Sequence, residues 1–347
     1  MRARANLIAI AVVAAAVLAP ALRAQQPAPG LPARLTDAEF WAFFTGNSEP
    51  NGYFRSDNLT SNELLYQHVI GDLVARTDEG NVYLGVGPEQ NYTYMAALKP
   101  KMAVIFDIRR GNAMLQLMYK ALFEIAADRA DFVAMLFARP RPPSLTASSS
   151  AAAIFAAVGA LPATEAVYKK TLAAIHLRLI DTHKFPIGGE DLAGVDYVYQ
   201  SFYTSGFALR SSPTYADLMT ATDQRGVNRS YLATEANFAF LKDLQTRNLV
   251  IPVVGDFGGR TAIRSVGAWL KARGASVAAF YLSNVEQYLV QDGKWDAFCR
   301  NVAALPLTPA STFIRSASGR GGVGGGRPGF VSSLGKMAEE TRNCGGY

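Results

Sequence analysis

In this 347-residue chain the residues best placed for chemistry cluster around two glycines, Gly85 and Gly87, at the end of an apolar run over 82–86. Glycine lets the backbone turn where a strand stops, and Pro88 suits the first position of a helix, where its missing N–H has no partner to lose. Amides after Gly87 would then point out of a helix N-terminus toward a polar or anionic group of a ligand. Asp107 follows Gly87 by 20 residues and ends a second apolar run over 102–106. Open α/β folds place there an acid that accepts both hydroxyls of a ribose. Gln90 occupies the position of the third glycine of a full G-x-G-x-x-G. Glu89 beside it would repel a pyrophosphate and tolerate a cationic ligand, so the expectation moves from dinucleotides to S-adenosylmethionine, with its sulfonium and amino groups. The candidate cofactor-binding set is Gly85, Gly87, Glu89, Asn91, Asp107, Arg109 and Asn284. Arg109 and Arg110 could grip a carboxylate or sit in water at a strand end. The bland alternative is a strand–turn–helix whose glycines only permit the turn.

The elements that must position these residues are legible from period and punctuation. Residues 81–112 read as strand, loop, helix and strand, and an apolar strand without alternation implies burial on both faces, hence a parallel sheet under helices. A second unit follows: a strand over 249–254, the loop 255–259, a helix over 261–273 closed by Gly274, and a strand over 276–282. Pro252 cannot donate to a ladder, which suggests a bulge or a less central strand. Asp256 ends one of these strands, and Ser283, Asn284, Val285, Glu286 and Gln287 end the other. Ligands in open α/β sheets bind beyond the carboxyl ends of strands, so Gly85 to Asn91, Asp107, Asp256 and Asn284 to Gln287 are expected to face one crevice. Asp256, with Glu286 or Glu63 as its partner, forms a candidate acid–base set. Glu63 also completes a capping box with Thr60 before an apolar helical pattern. No metal site is expected, because three scattered histidines and two late cysteines have no ligand spacing.

The ends of the chain bound its surroundings. Arg2 and Arg4, an apolar run over 7–18 and small residues near Ala21 and Ala24 describe a signal peptide over 1–24 and an exported, periplasmic or secreted, protein. That run is short for a membrane span, so no stable span is expected after cleavage. Its removal lowers the net charge from +6 to +3, and the Gly-rich tail carries two more, which leaves about +1 and no nucleic-acid footprint. The expected organisation is a linker over 25–34, one Rossmann-like domain over 35–317 and a disordered Gly-rich tail over 318–347. Within the domain, 140–200 reads as a helical insertion opened by a Pro/Ser/Ala-rich break. Asn112 reads as the N-cap of a long helix, and the aromatic stretch 195–207 is ambiguous between strand and packed loop. Cys299 and Cys344 could pair, or remain a buried thiol and a free one.

Four segments carry a resemblance: FRSDN at 54–58, GVGPEQN at 85–91, VVGDF at 253–257 and YLSNVE at 281–286. Together they resemble a family of uncharacterised, often exported bacterial proteins whose fold is similar to class I S-adenosylmethionine-dependent methyltransferases. The resemblance covers 35–316 and implies an α/β, mostly parallel sheet with helices on both faces plus the helical insertion. It also implies that Gly85 and Gly87 belong to the glycine loop and Asp107 to the ribose. S-adenosylmethionine is a cytoplasmic metabolite, and export therefore keeps two other classes open: a non-catalytic exported protein binding a small molecule, and a carboxylate-dependent hydrolase.

Overall fold

The computed structural model describes residues 29–78, 81–319 and 329–344. The expected signal segment therefore lies outside the described residues, as do the linker's first residues and the centre of the glycine run. Six strands form one sheet: β1 Val82–Val86, β2 Met102–Asp107, β3 Val250–Val254, β4 Val277–Ser283, β5 Leu307–Gly319 and β6 Gly329–Lys336. Their order is β3-β2-β1-β4-β5-β6. The first five run parallel, and β6 returns antiparallel to β5. Every residue of β1, β2 and β3 is buried, as unalternating apolar strands require. The four strands expected from the two sequence units are neighbours in this sheet. β3 is its edge strand, and Pro252, paired only with Ile105 of β2, withholds its donor from no inner ladder.

Helices enclose the sheet. α1 Asp37–Asn47 and α2 Ile70–Arg76 precede β1, and α3 Gln90–Leu98 joins β1 to β2. Between β2 and β3 run α4 Arg110–Ile125, α5 Arg129–Leu136, α6 Ala151–Gly159, α7 Glu165–His176, α8 Gly189–Ser205, α9 Tyr215–Thr220 and α10 Glu235–Thr246. α11 Ala262–Lys271 leads from β3 to β4, α12 Val285–Gln291 and α13 Trp295–Ala303 lead to β5, and α14 Met337–Glu340 ends the described chain. The chain builds outward from β1 through β2 to β3 and then returns to the other side of β1. The sheet thus reverses its order between β1 and β4, and the crevice at such a switch point is where ligands of open sheets bind.

Several expectations need correction. The insertion expected over 140–200 is part of a larger helical layer that fills the whole connection from β2 to β3. The stretch 195–207 is neither strand nor loop but mainly the second half of α8: Val195, Val198, Tyr199 and Phe202 are buried at helical spacing, and the Tyr199 hydroxyl donates to Met135 O at 2.8 Å. α4 begins at Arg110, so Asn112 lies inside the helix and does not cap it. A capping box of Thr36 and Glu39 opens α1. His183, just after the helical turn Leu177–Thr182 that continues α7, meets Asp37 of α1 and Glu124 of α4 at 2.7 Å each, which ties the helical layer to the start of the domain.

The tail departs furthest from expectation. Residues 329–336 form β6, and Cys344 makes a disulfide with Cys299 of α13 across 45 residues. No cysteine is free among the described residues, so the question left open by the sequence is resolved as a pair. Glycine runs are weak strand formers, but eight cross-strand positions of β5 offer partners and the disulfide holds the far end. Among the described residues no helix is long and apolar enough to cross a membrane. Closing a loop of this length restricts the unfolded chain by about 4 kcal/mol in the chain-entropy model. Cys344→Ser is therefore expected to lower stability by roughly 2 to 4 kcal/mol, read as a shift of the urea midpoint, and added reductant should give the wild type the same shift. An unchanged midpoint would show that packing alone holds the hairpin.

Candidate functional site

A cavity of about 440 Å³ opens at the carboxyl ends of the central strands. Its floor includes Gly87 after β1, Asp107 at the end of β2, Asp256 after β3 and Ser283 at the end of β4. The segment 53–63 roofs it, and Phe330 of β6 closes one side.

The glycine loop is built by its own side chains. Gly87 has φ +75° and gives its N–H to Phe106 O at 3.2 Å, a backbone that other residues adopt only with strain. Asn91 donates from Nδ2 to Val86 O at 2.9 Å and Pro88 O at 2.7 Å, and its Oδ1 accepts the Tyr83 hydroxyl at 2.9 Å. A Cβ on Gly85 would stand 1.8 Å from that Oδ1, so Gly85 is needed for Asn91 to lie across the loop. Of the expected cofactor set, Gly85 and Asn91 thus hold the turn in shape and do not face the cavity.

Glu89 also turns away from the crevice. It is fully buried and accepts Thr60 Oγ1 at 3.0 Å and Ser61 N at 3.1 Å. Burial pushes its carboxyl up to about 7, while the donors from Ser61 and Thr60 hold it down. Its role is to fasten the roof segment to the start of α3, not to screen ligands by charge.

Asp107 does face the cavity and is 9% exposed. Its Oδ1 accepts Arg109 N at 2.9 Å, the one hydrogen bond to its carboxylate among the described residues. Burial pushes it up to about 6, with that backbone bond and the Arg109 charge opposing. The Arg109 guanidinium is spent on Ser56 O at 2.8 Å and on Asp57, and Arg110 makes a two-pronged pair with Asp191. Arg109 therefore clamps the roof and has no reach to a ligand carboxylate.

The carboxylates of the expected acid–base set part company. Glu286 forms a bidentate pair with Arg315 and does not line the cavity. Asp256 lines it, accepting Lys294 Nζ at 2.6 Å and Gly258 N at 2.9 Å. Glu63 lines it too, though only 1% exposed. Its Oε1 accepts Tyr281 Oη at 3.0 Å and Ser283 Oγ at 2.5 Å, and its Oε2 accepts Gln90 Nε2 at 2.8 Å and Ser316 Oγ. It caps no helix: α2 begins only at Ile70, after a 3-10 turn over Tyr66–Val69, and the carboxylate is drawn inward by four donors. Ser283 holds the left-handed φ of +51°, a strained conformation in a residue other than glycine, and Asn284 beside it lines the cavity as expected.

Sequence reasoning missed Ser283, Ser316, Arg210, Lys294 and Phe330. Arg210 lines the cavity while donating to Thr60 O at 3.2 Å and Asn58 Oδ1 at 3.2 Å. Lone arginines, serines and lysines in loops carry no spacing signal, and Phe330 lies in a run read as structureless. Only Ser283, inside the polar end of a strand, was within reach of the strand-end argument.

The raised Glu89 acid links stability to pH. A carboxyl held up in the fold binds its proton more tightly than in the unfolded chain, so its contribution is complete below the unfolded value of 4.5 and lost as pH rises through about 7. The loss is up to roughly 3 kcal/mol. Glu89→Gln should therefore be less pH-dependent than wild type in urea midpoints between pH 5 and 8. Equal slopes for the two proteins would show that Glu89 carries no such linkage.

No curated protein matches this sequence. A family model described as a domain of unknown function, DUF7790, matches residues 58–327, which takes in the second half of the roof, the strand ends of the cavity floor and the helical layer. The chain is a member of the DUF7790 family.

Proposed function

We propose that this protein binds S-adenosylmethionine or a related adenosine ligand at the carboxyl ends of β1 and β2, and that it acts outside the cytoplasm. One observation carries the reading: the left-handed Gly87 turn and the Asp107 carboxylate end adjacent parallel strands and open into one cavity of about 440 Å³ beside the switch point of the sheet. Asp107 would accept the ribose hydroxyls through the oxygen that no protein group takes, with Ile108 and Phe257 as apolar walls. Bound S-adenosylmethionine would supply an electrophilic methyl group. The chain's share of such a reaction is orientation of the acceptor in the rest of the cavity.

A second reading, ligand binding without chemistry, is favoured by Glu63. Each of its oxygens already takes two donors, which leaves no free lone pair on the carboxylate to receive a proton from a substrate. The hydrolase pairing of Asp256 with Glu286 is not proposed, because Glu286 lies outside the cavity in its pair with Arg315. Export is supported by the 1–24 sequence pattern and by the Cys299–Cys344 disulfide, a bond that persists in oxidising compartments. N-terminal sequencing of fractionated cells should find a mature chain outside the cytoplasm starting just after Ala21 or Ala24; an intact cytoplasmic chain would remove this part of the proposal.

Calorimetry with S-adenosylhomocysteine tests the ligand. Asp107→Ala is expected to weaken binding by about 1.5 to 3 kcal/mol per lost charge-assisted bond, with little change in melting temperature. Because hydroxyl donors favour the ionised acid, wild-type affinity should rise as pH passes upward through about 6. Absence of binding to wild type at millimolar ligand would reject the assignment.

A further inference from the structure

Charge balance inside the cavity points to a more specific ligand chemistry. Among the described residues Glu63 has no cationic partner: its four donors are three hydroxyls and an amide. A buried anion met only by neutral groups keeps a large electrostatic demand for a counter-charge. The cavity's own cations do not answer it. Lys294 is held by Asp256 at 2.6 Å, Arg210 by Thr60 O and Asn58, and Arg55 by Tyr288, whose hydroxyl accepts from it at 3.1 Å. Asp107, nine-tenths buried with one oxygen untaken, is a second acid opening into the same space.

The walls add an independent observation. Tyr53, Phe54, Phe257, Tyr281, Tyr288 and Phe330 all line the cavity. The Arg55 guanidinium already lies 5.7 Å from the Tyr288 ring centroid, so this wall holds a cation in the folded protein. Aromatic faces attract cations and suit those too bulky and poorly hydrated to be met by carboxylate alone.

We propose that the Glu63 side of the cavity is a subsite for an organic onium group, an ammonium or sulfonium, countered by Glu63 and walled by aromatic rings. The inference rests on the adenosine reading for the remainder of the ligand and extends it by making positive charge a requirement. An ordinary neutral thioether in that place leaves the buried anion uncompensated, and an onium group compensates it.

The test compares two ligands that share the adenosine and amino-acid parts. Sinefungin carries an amine where S-adenosylhomocysteine carries a neutral thioether, and choline serves as an onium probe without adenosine. Calorimetry on the full mature chain should show sinefungin binding at least about tenfold more tightly than S-adenosylhomocysteine. Glu63→Gln should bring the two within about threefold of each other. The ligand comparison in wild type stands even if that variant melts early. Equal wild-type affinities would overturn the onium subsite and leave the adenosine reading in place. Binding of choline that Glu63→Gln abolishes, with no adenosine ligand bound, would keep the subsite and remove the adenosine reading. Binding of none of the three would overturn both.

Discussion

A carboxylate removed from water must be met by donors, and the structure around Glu63 is arranged to meet one four times. Gln90 comes from α3, Tyr281 and Ser283 from β4, and Ser316 from β5. Because Glu63 sits on the segment before β1, these bonds lock that segment to the strands on the far side of the switch point. The same bonds fix the end of β4: the left-handed φ of Ser283, which costs on the order of 1 to 3 kcal/mol, aims its hydroxyl at the acid. Removing the carboxylate would leave four donors without their acceptor and release the strained turn, so the cavity's shape and its charge have one origin.

Much of the remaining charge near the cavity builds its roof. Glu49 accepts the N–H groups of Asp256, Thr261 and Ala262, binding the loop after β3 to the chain that follows α1. A Cβ at Gly259 would lie 2.5 Å from that carboxylate, which accounts for a glycine in this loop. Arg109 holds residues 56 and 57, Tyr197 of α8 donates to Asp57, and Glu89 holds residues 60 and 61. A roof stitched from the strand ends, the helical layer and α3 is ordered before any ligand arrives, so little ordering entropy remains to oppose binding. This is also why a count of charged residues near the strand ends overstates the groups free to touch a ligand. Of the carboxylates that line the cavity, Asp256 is held by Lys294, whereas buried Glu63 and Asp107 and exposed Asp292 have no cationic side-chain partner in a salt bridge among the described residues.

How much of this was legible beforehand depended on the range of the interaction involved. Runs of apolar residues at 82–86, 102–106 and 249–254 determined buried parallel strands, because period and burial are local properties of a chain. Pro252 announced an edge by the donor it lacks, and the end of each strand announced where the crevice would lie. The tertiary structure decided what each polar residue does there. Glu89 and Asn91 stand beside the loop in sequence and Arg109 beside Asp107, yet partners up to some fifty residues away turn them into fasteners. Glu63 resembled a helix cap until donors more than two hundred residues away drew its carboxylate inward. The tail resembled a disordered run until β5 and Cys299 gave it partners. Local pattern determines which elements form, since each residue's conformational preference and hydrophobic period act within a turn or a strand. The use of a polar side chain is set by whichever donors and acceptors folding brings within about 3 Å of it, and those lie anywhere in the chain.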